Sequence, residues 1–133
     1  MKGPFPAIFI LIATLWTGTA IADLPVLSTA NNSDVLQRID MPDPHYQMGL
    51  QKAVLAPNEV KVRHMHTGPE VVYVLDGEII ITMDGQPEKR MKAGESFQFL
   101  AYAPHISKAG PQGATVLATW VVEKGKSLSV PAP

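Results

Sequence analysis

The chain has no cysteine. This absence excludes a disulfide framework, a thiolate metal ligand and a lipid-modified cysteine, so the fold must be held by its own core. An excess of charge of either sign is also missing. Eleven basic residues face 12 acidic ones for a net charge of −1, and there is no basic run of the kind that tracks nucleic acid. The only small cationic cluster, Lys89, Arg90 and Lys92, reads as the solvated face of one strand. Long helical periodicity and internal repeats are absent too. Histidine is scarce, four in 133 residues, so a place where several gather carries information.

With 133 residues there is room for one domain. Met1-Lys2 is followed by uncharged residues through Ala22, with an apolar stretch over 7–16 and small residues at Ala20 and Ala22. This pattern predicts a secretory signal peptide over 1–22 and a mature chain from Asp23, exported to the periplasm or beyond the cell. The rival reading, an uncleaved membrane anchor, is opposed by Pro4, Pro6 and Gly18, so no stable anchor is expected after cleavage. No twin arginine precedes the apolar run, which implies export unfolded and metal loading afterwards.

Beyond a flexible lead over 23–34, short β-like runs recur from Val35 onward at the spacing of an all-β barrel. Strands are expected at 35–40, 47–55, 60–66, 70–75, 78–83, 88–91, 97–100, 104–108 and 115–123. Turns are expected at Asn58-Glu59, at Asp84-Gly85 and, as a hairpin, at Asp76-Gly77. The domain therefore covers 35–123, and the unpatterned tail, 124–133, is expected to drape over a neighbouring subunit.

His64, Met65 and His66 lie in one predicted strand, and Glu70 follows after Thr67-Gly68-Pro69. Alternation puts His64 and His66 on one face with Val60 and Val62, an inward apolar face ending in two imidazoles. Imidazole and carboxylate donors suit a divalent transition metal. His105 is the one further histidine downstream, whereas His45 lies in a loop and is expected at the surface or the barrel rim.

These residues resemble the first motif of the cupin superfamily, G-x5-H-x-H-x3-E-x6-G, with His64, His66, Glu70 and Gly77 in place and Asn58 at the leading glycine. The second motif, G-x5-P-x-G-x2-H-x3-N, keeps Gly94 and His105 but has Leu100, Tyr102 and Ala109 at its other fixed positions. The resemblance, to small single-domain cupins, covers about residues 35–123. It implies a single cupin-type double-stranded β-helix, or jelly-roll, barrel. Its implied metal ligands are His64, His66, Glu70 and His105, around an ion of iron, manganese, nickel, zinc or copper. Two open octahedral positions would remain for substrate or dioxygen. It further implies a homodimer joined through an outer sheet, which agrees with the apolar residues on both faces of 70–75 and at 79–81.

Three functions follow from such a site. The first is a non-haem, metal-dependent oxygenase resembling the quercetinase-like cupins, with Glu70 shifting between ligand and catalytic base. The second is a redox-neutral, metal-dependent lyase or isomerase. The third is a non-catalytic periplasmic protein binding metal or a small ligand. The lack of an obvious second acid–base residue beside the ligands favours the first or third. Val62, Val72 and Val74 are expected to line an apolar interior, with Phe97 and Phe99 on one face and Tyr102 near His105. Met48, Met83 and Trp120 are candidate walls. Arg63 should point outward, so no arginine clamp is expected, and the substrate is expected to be an apolar or aromatic small molecule.

Overall fold

The computed structural model describes residues 27–28 and 33–133. The expected signal peptide, 1–22, lies outside the described residues, as do 23–26 and 29–32 of the lead. Nine strands occur among the described residues, and no helix. They are β1 (Leu27–Ser28), β2 (Ser33–Asp40), β3 (Tyr46–Leu55), β4 (Val60–His66), β5 (Glu70–Met83), β6 (Lys89–Lys92), β7 (Ser96–Phe99), β8 (His105–Glu123) and β9 (Ser129–Pro131).

Strand β8 organises the barrel. Its C-terminal part runs antiparallel between β3, where Leu55 faces Ala114 and Tyr46 faces Glu123, and the first half of β5, where Glu70 faces Trp120. Its N-terminal part runs between β4, where His64 faces His105, and the second half of β5, where Met83 faces His105. Strand β2 extends the first of these sheets beside β3, and β7 joins it on β5. Strand β6 pairs with the second half of β5. Two sheets thus share their two longest strands, the arrangement of an all-β jelly-roll barrel.

Sharing requires a corner, and two glycines make it. Gly77 and Gly113 have φ of 75° and 83°, a left-handed conformation that strains residues with a Cβ. A Cβ on Gly77 would also run into the carbonyl oxygen of Gly113. The hairpin expected at Asp76-Gly77 is therefore not a reversal. The chain continues as one strand, β5, bent where its pairing slips between Val74 and Asp76 and again between Gly77 and Ile79. The turn signal was correct about backbone conformation and wrong about direction, because a partner bent at the same place lets the strand carry on. The segments expected at 104–108 and 115–123 likewise fuse into β8.

Other turns fall where expected: Asn58 has φ of 58° and Gly85 of 68°. The lead and the tail are more structured than their composition implied. Leu27–Ser28 pairs in parallel with Val60–Lys61, and Ser33–Asp34 opens β2. Within the chain the tail pairs back on the barrel: β9 lies against β4, setting Ser129 opposite His66.

Between the sheets lies one apolar cluster, including Leu55, Val72, Val74, Ile79, Ile81, Met91, Phe99, Val116 and Ala118. Strict alternation on β5 buries Glu70, Val72 and Val74 and leaves Val71, Tyr73 and Leu75 exposed on the outer face. Ile79, Ile80 and Ile81 are all buried within the single chain.

The corner should be sensitive. Gly77→Ala is expected to cost about 2 kcal/mol, from backbone strain and the blocked approach to Gly113, and to lower Tm by about 10 °C in calorimetry. Gly85→Ala, where a Cβ meets nothing within 4 Å, should cost about 1 kcal/mol. Equal effects would contradict this account of the corner.

Candidate metal centre

Three histidines meet at the end of the barrel interior. His64 and His66 come from β4, and His105 opens β8 directly opposite His64. One ring nitrogen of each lies within 4.8 Å of the others. Ring centroids are 4.3 Å apart for His64 and His105, 4.9 Å for His66 and His105, and 5.2 Å for His64 and His66. Phe99 stacks on His105 at 4.1 Å and meets His66 edge-on at 5.5 Å, closing the apolar side of the cluster.

Hydrogen bonds fix how these rings present themselves. His64 Nδ1 lies 2.8 Å from the Val62 carbonyl oxygen, and His105 Nδ1 lies 2.9 Å from that of Ala103. A carbonyl only accepts, so both rings carry their proton on Nδ1 and turn an Nε2 lone pair inward. Nε2 of His105 is buried with no hydrogen-bond partner. Glu70 Oε2 stands 2.5 Å from His66 Nδ1. That nitrogen has no other hydrogen-bond partner. Both groups are buried. Burial pushes the His105 imidazole down to about 4, against the opposing pull of the Ala103 carbonyl. Burial also lowers His64, with the Val62 carbonyl again opposing. The site favours neutral imidazole, the form that ligates.

The local fold departs from simple alternation just before the histidines. On β4, Lys61 faces Ser107 and His64 faces His105, so three steps on β4 match two on β8. This β-bulge reverses which side chains point inward. Glu59 and Lys61 turn toward the interior, where Lys61 Nζ lies 3.0 Å from the buried Glu59 Oε1, and Val62 is left 46% exposed. The expected inward row of Val60, Val62, His64 and His66 is corrected accordingly.

The histidines and Glu70 line a cavity of about 370 Å³ that runs into the barrel past Val72, Ile79, Ile81, Leu55 and Met91. Polar residues Gln51, Lys61, Arg63 and Ser107 line it as well. Phe99 and Val72 line it as expected, and Val62 borders its mouth; Val74 is wholly buried in the core. Met48, Met83 and Trp120 are not among its walls.

The chain matches the cupin domain model over residues 51–122, more than half its length. It belongs to the cupin domain family. Comparison with curated proteins finds no match. Solved structures agree on the fold. The lyase DddQ of Ruegeria pomeroyi DSS-3, which acts on DMSP, is 19% identical with a TM-score of 0.59, over 64% of this chain and 43% of that one. The chain thus spans less than half the length of DddQ. An RmlC-like cupin from Shewanella frigidimarina is 20% identical with a TM-score of 0.55, over 77% and 87% of the two chains. A double-stranded β-helix protein from Klebsiella pneumoniae is 16% identical with a TM-score of 0.57, over 79% and 86%.

Two departures from the cupin motifs are explained by the backbone. Asn58 and Tyr102, both at motif glycines, have φ of 58° and 61°, so the glycine conformation is kept without the glycine. Asparagine tolerates it, whereas an aromatic residue is strained there. Tyr102 N–H donates to the His66 carbonyl at 2.7 Å, tying that strained loop to the ligand strand. His45 is exposed and bonded to Asp43, away from the site. Arg63, expected to point outward, borders the cavity but is held by both carboxylate oxygens of Asp84 and by the Pro133 carbonyl. Sequence reasoning missed Gln51 and Lys61. Gln51 carried a signal, a polar residue in the inward row Gly49, Gln51, Ala53, Leu55; Lys61 had none, because the bulge decides its side.

The donor set fits a divalent transition metal: two inward Nε2 lone pairs, a buried imidazole nitrogen lacking a hydrogen bond and an adjacent carboxylate. His64, His66 and His105 are the residues that would hold it. Alanine at each should weaken metal affinity on the order of 100-fold or more, read by competition against a chelating dye. Unchanged affinity in all three would overturn the assignment.

The acid limb of stability tests the buried imidazoles. His64 and His105 take their proton less readily when folded. Between about 6.5 and about 4 the unfolded chain therefore binds protons that the folded chain does not. Stability of metal-free protein should be full above that window and fall as the pH drops through it. Urea midpoints that stay level from neutral pH to pH 4.5 would contradict this.

Proposed function

We propose that the chain is an exported, metal-binding single-domain cupin that acts as a non-haem metal-dependent oxygenase on a small apolar or aromatic substrate. The observation that carries the reading is the triad of inward imidazoles at the head of an apolar-walled cavity. His64, His66 and His105 hold the metal, with Glu70 completing the set. Iron, manganese, nickel or copper would supply redox activation of substrate or oxygen there, and zinc would supply Lewis acidity. Glu70 acts as the base, taking a proton from a substrate hydroxyl at its carboxylate. Val72, Ile79, Ile81 and Phe99 exclude water and receive the apolar body of the substrate.

Export is supported by the N-terminal sequence. A homodimer is supported by Val54, Val71, Tyr73 and Leu75, apolar and exposed on the outer face of the sheet that holds β3 and β5. One observation favours a second reading, a redox-neutral lyase or isomerase. Lys61 brings to the cavity an acid–base side chain that sequence reasoning did not place there, and such chemistry needs a second proton-handling group.

Protein purified from its own compartment without chelator should contain close to one equivalent of iron, manganese, nickel or copper. It should also consume oxygen with phenolic substrates. Glu70→Gln should retain most of the metal and lower turnover about 100-fold or more. Bound zinc without oxygen uptake would replace the oxygenase reading with the lyase or with simple ligand binding, and inability to take up any metal would end all metal-dependent readings.

A further inference from the structure

Gln51 lines the same cavity as the histidines, and its orientation is fixed by a residue that does not line it. Trp120 Nε1 donates to Gln51 Oε1 at 3.1 Å. An indole N–H is only a donor, so it must meet the carbonyl oxygen of the amide, and this settles the orientation of the amide group. The NH2 group is left as two donors, on a side chain that lines the cavity.

The indole itself is held in place. Trp120 is buried and pairs across the sheet with Gly49 on one side and Glu70 on the other. A Cβ on Gly49 would run into the indole ring, so the missing side chain is what admits the ring at this position. The Arg38 guanidinium lies 5.0 Å over the ring. Gln51 is thus preorganised by a clamped partner. The pairing also locates it: Gln51 faces Ala118, which faces Val72, one inward position along β8 from the pair of Trp120 and Glu70. The amide and the Glu70 carboxylate therefore belong to the same inward face, with β8 between them, and both line the cavity.

We infer that Gln51 is the specificity-determining donor of the site, binding a carbonyl or carboxylate oxygen on the apolar substrate. This rests on the reading of the cavity as a substrate pocket beside a metal. It refines that reading, because a pure hydrocarbon would leave the oriented donors unmatched, whereas an aromatic acid or ketone satisfies them. Carboxylate and neutral carbonyl share the required acceptor, and the two probes below separate them.

The test uses the full chain loaded with zinc, which is diamagnetic, and measures metal content and probe binding separately. Benzoate and acetophenone are titrated while the Gln51 side-chain NH2 and Trp120 indole N–H resonances are followed by NMR. At least one probe should bind and shift the Gln51 NH2 signals. Gln51→Glu keeps an acceptor for the indole N–H, so the fold is preserved, but replaces the donors with an anion. At unchanged zinc content it should weaken benzoate at least about tenfold, and acetophenone about fivefold. Gln51→Leu should weaken the probe that binds by a similar factor. If both probes bind wild type and only benzoate responds, the ligand is a carboxylate; if only acetophenone does, a neutral carbonyl. Zinc-loaded wild type that binds neither probe, or variants that bind both as wild type does, would overturn the inference and leave the metal site standing. Failure to take up zinc would instead overturn the reading beneath it.

Discussion

The pairing of β8 with four segments at once is the constraint on which the barrel and its site depend. One strand of 19 residues serves as inner neighbour to β3 and the first half of β5, then to β4 and the second half of β5. A strand can pass from one sheet to the other only if it bends, and its partner must bend with it. Gly113 and Gly77 meet that requirement together, each in a conformation open to glycine and Gly77 packed against the Gly113 carbonyl. The core follows, since the two halves of β5 and β8 present alternate residues to a common interior.

The metal centre is a consequence of the same pairing. His105 begins β8, and its register sets it opposite His64. The bulge between Lys61 and His64 then brings both kinds of chemistry to one cavity, with imidazoles beyond it and a lysine before it. Regular alternation would put either the histidines or Lys61 inside, not both. Burial completes the arrangement by keeping His64 and His105 neutral, while the backbone carbonyls of Val62 and Ala103 orient their rings.

The cavity is mixed in character. Aliphatic side chains from β3, β5 and β8 line it together with polar side chains from β3 and β4. The relation between Gly49, Trp120 and Gln51 shows how a residue outside the cavity sets what the cavity recognises. Its effect passes through a single hydrogen bond whose donor has no alternative role.

Much of this was legible in the chain itself. His64, His66 and His105, their spacing to Glu70 and Gly94, and the recurring short β-patterns carried the fold family and the trio that could hold a metal. Left-handed turns at Asn58 and Gly85 were readable because few residues tolerate them. The sequence determined which residues could ligate and which runs could form strands, since both depend on local chemistry and alternation. Tertiary structure alone decided that Asp76-Gly77 is a corner and not a reversal, because a turn signal records backbone angles and not the partner that meets them. It alone decided that Lys61 faces in and that β9 lies on β4, because a bulge or a strand pairing is set by neighbours distant in the chain. The amide of Gln51 was fixed in the same way, by an indole 69 residues away.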